Sequence, residues 1–273
     1  MVNNPLVSIV TVCYNAVETI EKTILSVINQ TYSNIEYIII DGGSTDGTND
    51  IIAKYHSKIS YWVSEKDRGI YDAMNKSINV ANGKWINFMN AGDTYYQETT
   101  IEQFIMQISP STDIAYGDTM IILAIGKFLE KAKPLNFITR QMAFGHQAAF
   151  VRVELHKKSR FDISFRSSGD YNFFYHVYMQ KYNFEYIPII VANYDGESGV
   201  SNDNYVLARW EDGIIQGKTR SFVWKMFFVL KMSYYLVKQF LKRFTPLPVV
   251  NFMRERNLKK SGLIKCWDYE NTY

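Results

Sequence analysis

Cysteine is scarce in this 273-residue chain, which contains only Cys13 and Cys266. Two cysteines so far apart in sequence give no sign of a disulfide framework or of a zinc site, and Cys13 within a predicted buried strand suits a reducing compartment. The N-terminus lacks the basic segment followed by an apolar segment that marks a secretory signal. We therefore expect a cytoplasmic protein, or one that is peripheral at the cytosolic face of the inner membrane.

The sequence also lacks the motifs of several common protein classes. No G-x-G-x-x-G turn follows the first predicted strand, where Cys13-Tyr14-Asn15 stands instead, and this argues against a dinucleotide-dependent oxidoreductase. No nucleic-acid-binding module is recognisable, and no internal repeat or low-complexity segment is present.

The net charge of +3 conceals an uneven distribution of charge along the chain. Residues 205–273 carry 13 basic and 5 acidic side chains, whereas the rest of the chain carries 17 and 22. A basic tail on an acidic body predicts an anionic partner, either a membrane surface or a nucleic acid. Because no nucleic-acid module is found, the membrane is the favoured partner.

Apolar runs alternate with helical segments in the first hundred residues. Ile38, Ile39 and Ile40 are consecutive, which is typical of a parallel strand buried on both faces by helices. The alternation of strands and helices predicts an α/β fold with a mostly parallel central sheet. The predicted strands are residues 7–15, 35–41, 59–64 and 84–90. Helices are predicted at residues 50–55, after the second strand, and at residues 71–81, after the third.

Polar side chains stand where these predicted strands end. Asn15 follows the first strand, Asp41 ends the second, and Asn90 and Asp93 follow the fourth. In open α/β sheets ligands bind beyond the carboxyl ends of the strands. Several polar groups at one edge of the sheet therefore predict a site for a polar ligand.

The second half of the sequence has a less regular pattern. Residues 113–118 form a short predicted strand ending in Asp118, and residues 126–135 form a loop or hairpin. His146 stands at the start of a predicted strand at 145–151, and Asp170 starts a predicted helix at 170–180. By position alone Asp170 is an N-cap residue. Further predictions are a strand at 186–192, a Gly/Ser turn at 196–201 and a long aromatic, lysine-rich helix at 221–244.

Five short motifs, in order and at predicted strand ends, resemble those of family 2 glycosyltransferases with the GT-A fold, of the bacterial surface-polysaccharide type. The motifs are residues 7–15, 26–32, 41–48, 65–76 and 90–93, and the resemblance extends more loosely to about Ser201. It implies a GT-A domain at residues 1–204, with a nucleotide-sugar-binding half at 1–98 and an acceptor half at 99–204. Residues 205–273 would form a C-terminal helical extension.

The resemblance implies roles for individual residues. Asp41 would bind the base of the donor nucleotide, with UDP favoured, and Asp93 would hold Mg²⁺ or Mn²⁺. Asn90 and Gly92 stand where the family commonly has acids, so the metal motif is reduced. Arg68 is alternatively a solvated surface arginine, and His146 a structural histidine. The implied donor-binding residues are Thr11, Asn15, Asp41, Arg68, Asp72, Asn90, Asp93 and His146, and the implied acceptor-binding residue is Asp118.

Asp170 matches the catalytic base of the family. The resemblance therefore implies an inverting transfer, in which Asp170 removes a proton from an acceptor hydroxyl as its oxygen attacks the sugar. The acceptor would be a saccharide or a polyisoprenyl-diphosphate-linked saccharide in capsule, O-antigen or exopolysaccharide synthesis. Two alternatives are a non-catalytic or metal-independent partner in polysaccharide assembly, and a sugar-phosphate nucleotidyltransferase. The second would need a basic, glycine-rich loop near the first strand, and none is found.

The long helix at 221–244 has two interpretations. Its lysines interrupt the apolar run that a spanning helix needs, which favours a helix lying in the membrane interface. The alternative is a helix packed on the catalytic domain or on a second subunit of a homo-oligomer.

Overall fold

A ten-stranded sheet forms the centre of the part of the chain that the computed structural model describes, residues 4–197 and 204–266. Four strands of the first half pair in parallel, in the order β4-β1-β2-β3. The strands and helices of this half are β1 (Val7–Cys13), α1 (Ile20–Ile28), β2 (Ile35–Asp41), α2 (Thr48–Lys54), β3 (Tyr61–Ser64), α3 (Ile70–Val80), β4 (Trp85–Phe88), β5 (Thr94–Tyr95) and α4 (Thr100–Ile105).

The second half continues the same sheet through β8, which pairs antiparallel with both β4 and β6. The later strand β9 pairs with β6 in parallel and with β5 antiparallel. The remaining elements are β6 (Ile114–Leu123), β7 (Gly126–Glu130), β8 (Ala149–Arg152), α5 (Val153–Lys158), α6 (Gly169–Met179), β9 (Phe184–Asp195), α7 (Tyr205–Ile215), α8 (Phe222–Lys242), α9 (Leu247–Lys260) and β10 (Ile264–Lys265).

Helices cover both faces of the parallel strands, as the run of isoleucines predicts. Ile38 and Ile40 face one apolar core, whereas Ile39 between them faces the other. The first core includes residues of α3 and α6, and the second includes residues of α1 and α4. The α/β architecture with a C-terminal helical extension is thus confirmed.

The second half differs from the sequence predictions in two respects. Strand β6 does not end at Asp118 but continues to Leu123, because residues 119–123 pair with β7 in an antiparallel hairpin. Helix α9 lies within the helical extension expected at residues 205–273, but its bounds were not predicted, since its apolar residues have little helical periodicity. Residues 198–201 of the predicted Gly/Ser turn lie outside the described residues.

The C-terminal extension is attached to the rest of the chain through α7 and through β10. In α7 the Glu211 carboxylate accepts hydrogen bonds from the main-chain N–H groups of residues 166, 167 and 168. At the other end β10 pairs antiparallel with β7. Between them, Met232 is the buried residue of α8. Across residues 4–197 and 204–266, no helix is both long and apolar enough to span a bilayer.

Candidate active site

A cleft of about 820 Å³ lies at the carboxyl ends of β1 and β4. It brings together five residues that the sequence predicts for the site, from segments far apart in the chain. They are Asn15, Asn90, Asp93, His146 and Asp170. The cleft therefore lies where the topology of an open α/β sheet places a ligand.

Asp170 is held in the cleft by two neighbouring side chains. Its Oδ1 accepts a hydrogen bond of 3.0 Å from the Tyr71 hydroxyl, and its Oδ2 lies 3.6 Å from Nδ1 of His146. Gly169 permits this contact, since a Cβ at that position would lie 2.7 Å from the Tyr71 ring. Ser168, not Asp170, occupies the N-cap position of α6. The interpretation of Asp170 as the N-cap is therefore wrong, and its carboxylate is oriented by Tyr71 and His146.

His146 links Asp170 to the end of β4. It lies in a 3-10 turn, His146–Ala148, and its Nε2 is 3.1 Å from Nδ2 of Asn90. The other ring nitrogen, Nδ1, faces the Asp170 carboxylate. Burial lowers the pKa of His146, although the nearby Asp170 carboxylate opposes this effect. His146 therefore lies between Asp170 and Asn90, where burial disfavours its charged form.

Asp93 and Asp195 form a pair of acids in the cleft. Asp93 follows β4, Asp195 ends β9, and the main-chain N–H of Asp195 donates to Asp93 Oδ1 at 3.3 Å. Burial, with a smaller contribution from the Asp195 charge, raises the pKa of Asp93 to about 7. The N–H of Asp195 and the charge of Lys22 act in the opposite direction. Uncompensated burial of this carboxyl group favours its protonated form unless a cation is bound nearby.

The residues present fit a divalent cation when part of the coordination comes from substrate. Among the described residues, no three His, Cys, Asp or Glu side chains are grouped as a complete metal site. However, Asn90 Oδ1 is buried in the cleft and has no hydrogen-bond partner within the described chain. Mg²⁺ is commonly bound by one or two carboxylates together with substrate phosphates and water. Asp93, Asp195 and Asn90 supply oxygen donors of that kind.

Asp41 does not line the cleft. Its carboxylate is fully buried and accepts hydrogen bonds from the main-chain N–H groups of Gly43 and Ser44, at 3.1 and 2.8 Å, and from the Ser64 hydroxyl at 2.6 Å. Burial opposes ionisation of this group, but the hydrogen bonds outweigh it and hold the pKa below its usual range. In this structure Asp41 therefore stabilises the turn after β2, and a base could reach it only if these bonds were exchanged.

Thr11 is directed into the core, away from the cleft. Its hydroxyl donates to the carbonyl of Met89 at 2.8 Å and lies 3.0 Å from the hydroxyl of Tyr37. The side chain has no exposed surface. A contact between Thr11 and the donor base, as the resemblance implies, has no support from this position.

Arg68 and Asp72 lie beside the cleft rather than in it. They form an ion pair of 2.9 Å, with the Arg68 side chain 72% exposed, and they line a neighbouring cavity of about 390 Å³. Arg166 lines both this cavity and the main cleft. Arg166 is therefore better placed than Arg68 to contact a phosphate in the cleft.

Asp118 does not reach the cleft either. Both of its carboxylate oxygens are within 3.1 Å of the Tyr186 hydroxyl, and Oδ1 accepts a further bond from the main-chain N–H of Ala132. The sequence placed Asp118 at a strand end, but β6 continues past it. Its carboxylate fixes the chain that follows the β6–β7 hairpin.

Several residues of the cleft were not expected from the sequence. Tyr71 lies within one of the recognised motifs but has the character of a core aromatic residue at the start of a helix. Asp195 belongs to a strand that was expected to end three residues earlier. Nothing in the sequence distinguishes several other polar residues of the cleft, among them Thr119, Glu130, Gln147 and Arg166.

Sequence comparisons agree with these motifs. The Glycosyl transferase family 2 model matches residues 8–180. A PGL/p-HBAD biosynthesis glycosyltransferase of Mycobacterium bovis (strain BCG / Pasteur 1173P2) is 29% identical over 216 residues, which cover 72% of this chain and 80% of that protein. An uncharacterized glycosyltransferase of Mycobacterium tuberculosis (strain CDC 1551 / Oshkosh) is 31% identical over 183 residues, which cover 63% and 69%.

Solved structures with the same fold include two bound to nucleotide sugars. Residues 1–349 of S. aureus TarS in complex with UDP-GlcNAc give a TM-score of 0.61 at 16% identity, covering 77% of this chain and 66% of that one. The mannosyltransferase PcManGT of Pyrobaculum calidifontis, in complex with GDP-Man and Mn²⁺, gives 0.60 at 18% identity, covering 78% and 63%. The comparison with a longer chain of S. aureus TarS covers 39% of that chain.

Proposed function

Because this chain belongs to glycosyl transferase family 2, we propose that it transfers a sugar from a nucleoside-diphosphate sugar to an acceptor hydroxyl. UDP is the favoured nucleotide, and the acceptor is a saccharide or lipid-linked saccharide in capsule, O-antigen or exopolysaccharide synthesis. The observation that carries this proposal is the single cleft shared by Asn15, Asn90, Asp93, His146 and Asp170. The UDP-GlcNAc and GDP-Man complexes of structures with the same fold support a nucleotide-sugar donor.

In the proposed reaction Asp170 acts as the general base of an inverting transfer. Its carboxylate removes the proton from the acceptor hydroxyl, whose oxygen attacks the anomeric carbon as the nucleoside diphosphate departs. The hydroxyl of Tyr71 and Nδ1 of His146 hold the carboxylate in place, at 3.0 and 3.6 Å. A base held in one orientation reduces the entropy that must be lost on reaching the transition state.

Two groups in the cleft are assigned to the diphosphate. Arg166 supplies a guanidinium group, which suits bidentate contact with phosphate oxygens. Asp93, with Asp195 and Asn90 beside it, would hold a divalent cation. When bound, such a cation stabilises the negative charge that develops on the leaving diphosphate.

The proposed division of labour follows the order of the chain. Residues 1–98 bind the donor, because Asn15 and the segment 90–93 follow the parallel strands of this half. Residues 99–204 supply the base and the acceptor side. Residues 205–273 form a tail with a separate role in localisation.

We assign the tail to the surface of an anionic membrane. Many large apolar side chains of α8 and α9 are exposed, including Phe227 at 61% and Leu230 at 60%. Lysines and arginines are interspersed with them along both helices. An apolar surface edged with positive charge binds a lipid interface through both hydrophobic burial and attraction to anionic headgroups. A lipid-linked acceptor would be presented at the same surface.

The experiment that tests the proposed activity measures release of nucleoside diphosphate from UDP- and GDP-sugars by the purified full-length protein. We expect slow donor hydrolysis in the presence of Mg²⁺ or Mn²⁺, and faster release when an acceptor is supplied. Binding of nucleotide without hydrolysis or transfer, across a panel of acceptors, would indicate a non-catalytic partner in polysaccharide assembly.

A further inference from the structure

One wall of the cleft carries polar side chains that the reaction above does not use. Thr119 of β6 and Glu130 of β7 are directly opposite each other in the antiparallel hairpin, and both line the cleft. Directly paired residues project from the same face of a sheet. Gln147, in the turn before β8, lines the cleft with them. We refer to Thr119, Glu130 and Gln147 as the polar wall.

Within the described part of the chain, the side chains of the polar wall have no hydrogen-bond partners. Thr119 is 2% exposed, and its Oγ1 forms no hydrogen bond within residues 4–197 and 204–266. In the same part of the chain Gln147 bonds through its main-chain carbonyl, which accepts from Asn87, and not through its amide. Buried polar groups without partners are costly, so they are seldom kept without a role.

Glu130 is partly buried, in contrast to the fully buried Thr119. Burial raises the pKa of its carboxyl group, and the charge of Lys133 only partly opposes this effect. Neither a hydrogen bond nor an ion pair to the Glu130 carboxylate occurs within the described residues. A partly buried carboxylate without a donor gains from a ligand that brings hydroxyl donors.

Gly145 keeps the space beside the polar wall open. A Cβ at position 145 would lie 2.7 Å from Thr119 Oγ1 and 3.0 Å from Gln147 Oε1, closer than unbonded atoms normally approach. Alanine at this position would therefore crowd both groups. Glycine at this position leaves both groups uncrowded at the edge of the cleft.

We infer that the polar wall binds the sugar ring of the acceptor, an inference that rests on the proposed transfer reaction. Sugar hydroxyls donate to the Glu130 carboxylate, and they both donate to and accept from the Thr119 hydroxyl and the Gln147 amide. Met142 and Phe144, which line the same cleft, offer apolar surface to the C–H face of a sugar ring.

The position of the wall in the chain favours the acceptor over the donor sugar. The diphosphate is assigned to residues that follow β1 and β4, in the first half of the chain. The polar wall comes from the β6–β7 hairpin and the turn before β8, in the half that also supplies the base Asp170. A sugar bound there would share the cleft with Asp170.

The test compares glycoside binding by the full-length protein and by two near-isosteric variants, Glu130→Gln and Thr119→Val. The probes are p-nitrophenyl glycosides of glucose, galactose, N-acetylglucosamine, mannose and rhamnose, titrated by saturation-transfer NMR into protein saturated with UDP and Mg²⁺. We expect the wild type to bind at least one glycoside. Its affinity should fall about tenfold or more in Glu130→Gln, because a hydrogen bond to a charged group is lost. UDP affinity should stay within about twofold of wild type, since the wall does not contact the nucleotide.

Two controls separate a binding role from a structural one. Glu98→Gln makes the same change at an exposed position and should bind glycosides like the wild type. Thr119→Val removes an unpartnered hydroxyl, so its melting temperature should be unchanged or higher while glycoside affinity falls. A lower melting temperature for Thr119→Val would show that the hydroxyl has a structural partner, and would overturn its assignment to a ligand.

Other outcomes also overturn the inference. One is equal glycoside affinity in the wild type and both variants. Another is a wild type that binds UDP but binds none of the glycosides. A third is that the variants bind UDP-sugar more weakly than the wild type while they bind UDP equally well. The last result would place the donor sugar at the wall. Failure of the proposed function is distinct, because the wild type would then neither bind UDP or GDP nor hydrolyse a nucleotide sugar.

Discussion

Replacing Asp93 by asparagine should stabilise the metal-free protein at high pH. Burial raises the pKa of Asp93 from its usual 3.8 to about 7. A group whose pKa is raised in the folded state stabilises that state at low pH, and the contribution is lost as the pH rises toward the folded value. At 1.36 kcal/mol per pH unit, ionised Asp93 costs up to roughly 4 kcal/mol above pH 7. Asparagine keeps the oxygen that accepts from the Asp195 N–H and avoids this cost.

Thermal unfolding in EDTA at several pH values measures this effect. At pH 8 the variant should exceed wild type by up to about 4 kcal/mol, or roughly 8–16 °C for a chain of this size. At pH 4.5 the gap should shrink to about 1 kcal/mol, because Asp93 is then protonated in the folded protein while the unfolded chain, with its usual pKa of 3.8, is still largely ionised. Asp50→Asn, at an exposed position, serves as the matched control and should stay within about 0.5 kcal/mol at both pH values. A gap between Asp93→Asn and wild type that does not change with pH would refute this reasoning.

Three further substitutions test the base, its positioning and the tail. Asp170→Asn should lower transfer by a factor on the order of 10² to 10⁴ with UDP affinity retained, and near-normal turnover would remove Asp170 as the base. Tyr71→Phe should lower kcat about tenfold with little change in donor KM, since one hydrogen bond to a charged group is lost; a lower melting temperature and fewer UDP-binding sites per chain would instead indicate a folding defect. Phe227→Glu should reduce cosedimentation with anionic vesicles severalfold, whereas Met106→Glu, a matched exposed apolar site at 65% exposure, should not. Concentration-dependent dimerisation of wild type without vesicle binding would instead assign the tail to a second copy.

Chain topology explains why much of the cleft could be predicted from the sequence. Asn15, Asn90 and Asp93 follow parallel strands, and parallel strands end at the same edge of a sheet. Their meeting in one cleft is therefore a consequence of strand order, which apolar periodicity and the glycine-rich turns indicate. The placement of Asp170 in the same cleft came from the family motif, because its position at a helix start is equally typical of a cap.

The direction of individual side chains could not be predicted in the same way. Asp41 and Asp93 both follow strands, yet Asp41 turns toward Ser44 and Ser64 while Asp93 faces the cleft. This difference depends on local turn hydrogen bonds rather than on periodicity. Asp118 was misplaced because the pairing of β6 with β7 is a long-range interaction that extends the strand beyond its apparent end.

The polar wall is also set by tertiary structure. Thr119 and Glu130 are ordinary strand residues until the hairpin places them opposite each other and the turn at Gly145 brings Gln147 alongside. A single sequence gives no indication of this convergence.

Titration of UDP into the full-length protein by calorimetry, with Mn²⁺ present, tests the central claim most directly. A cleft built for a nucleoside diphosphate should bind one UDP per chain, with a Kd between about 1 μM and 1 mM, the range of typical substrate affinities. Asp93→Asn should weaken this binding by about tenfold or more, because a charged contact to the bound cation is lost. Absence of saturable binding of either UDP or GDP by folded wild-type protein would contradict the assignment of the cleft.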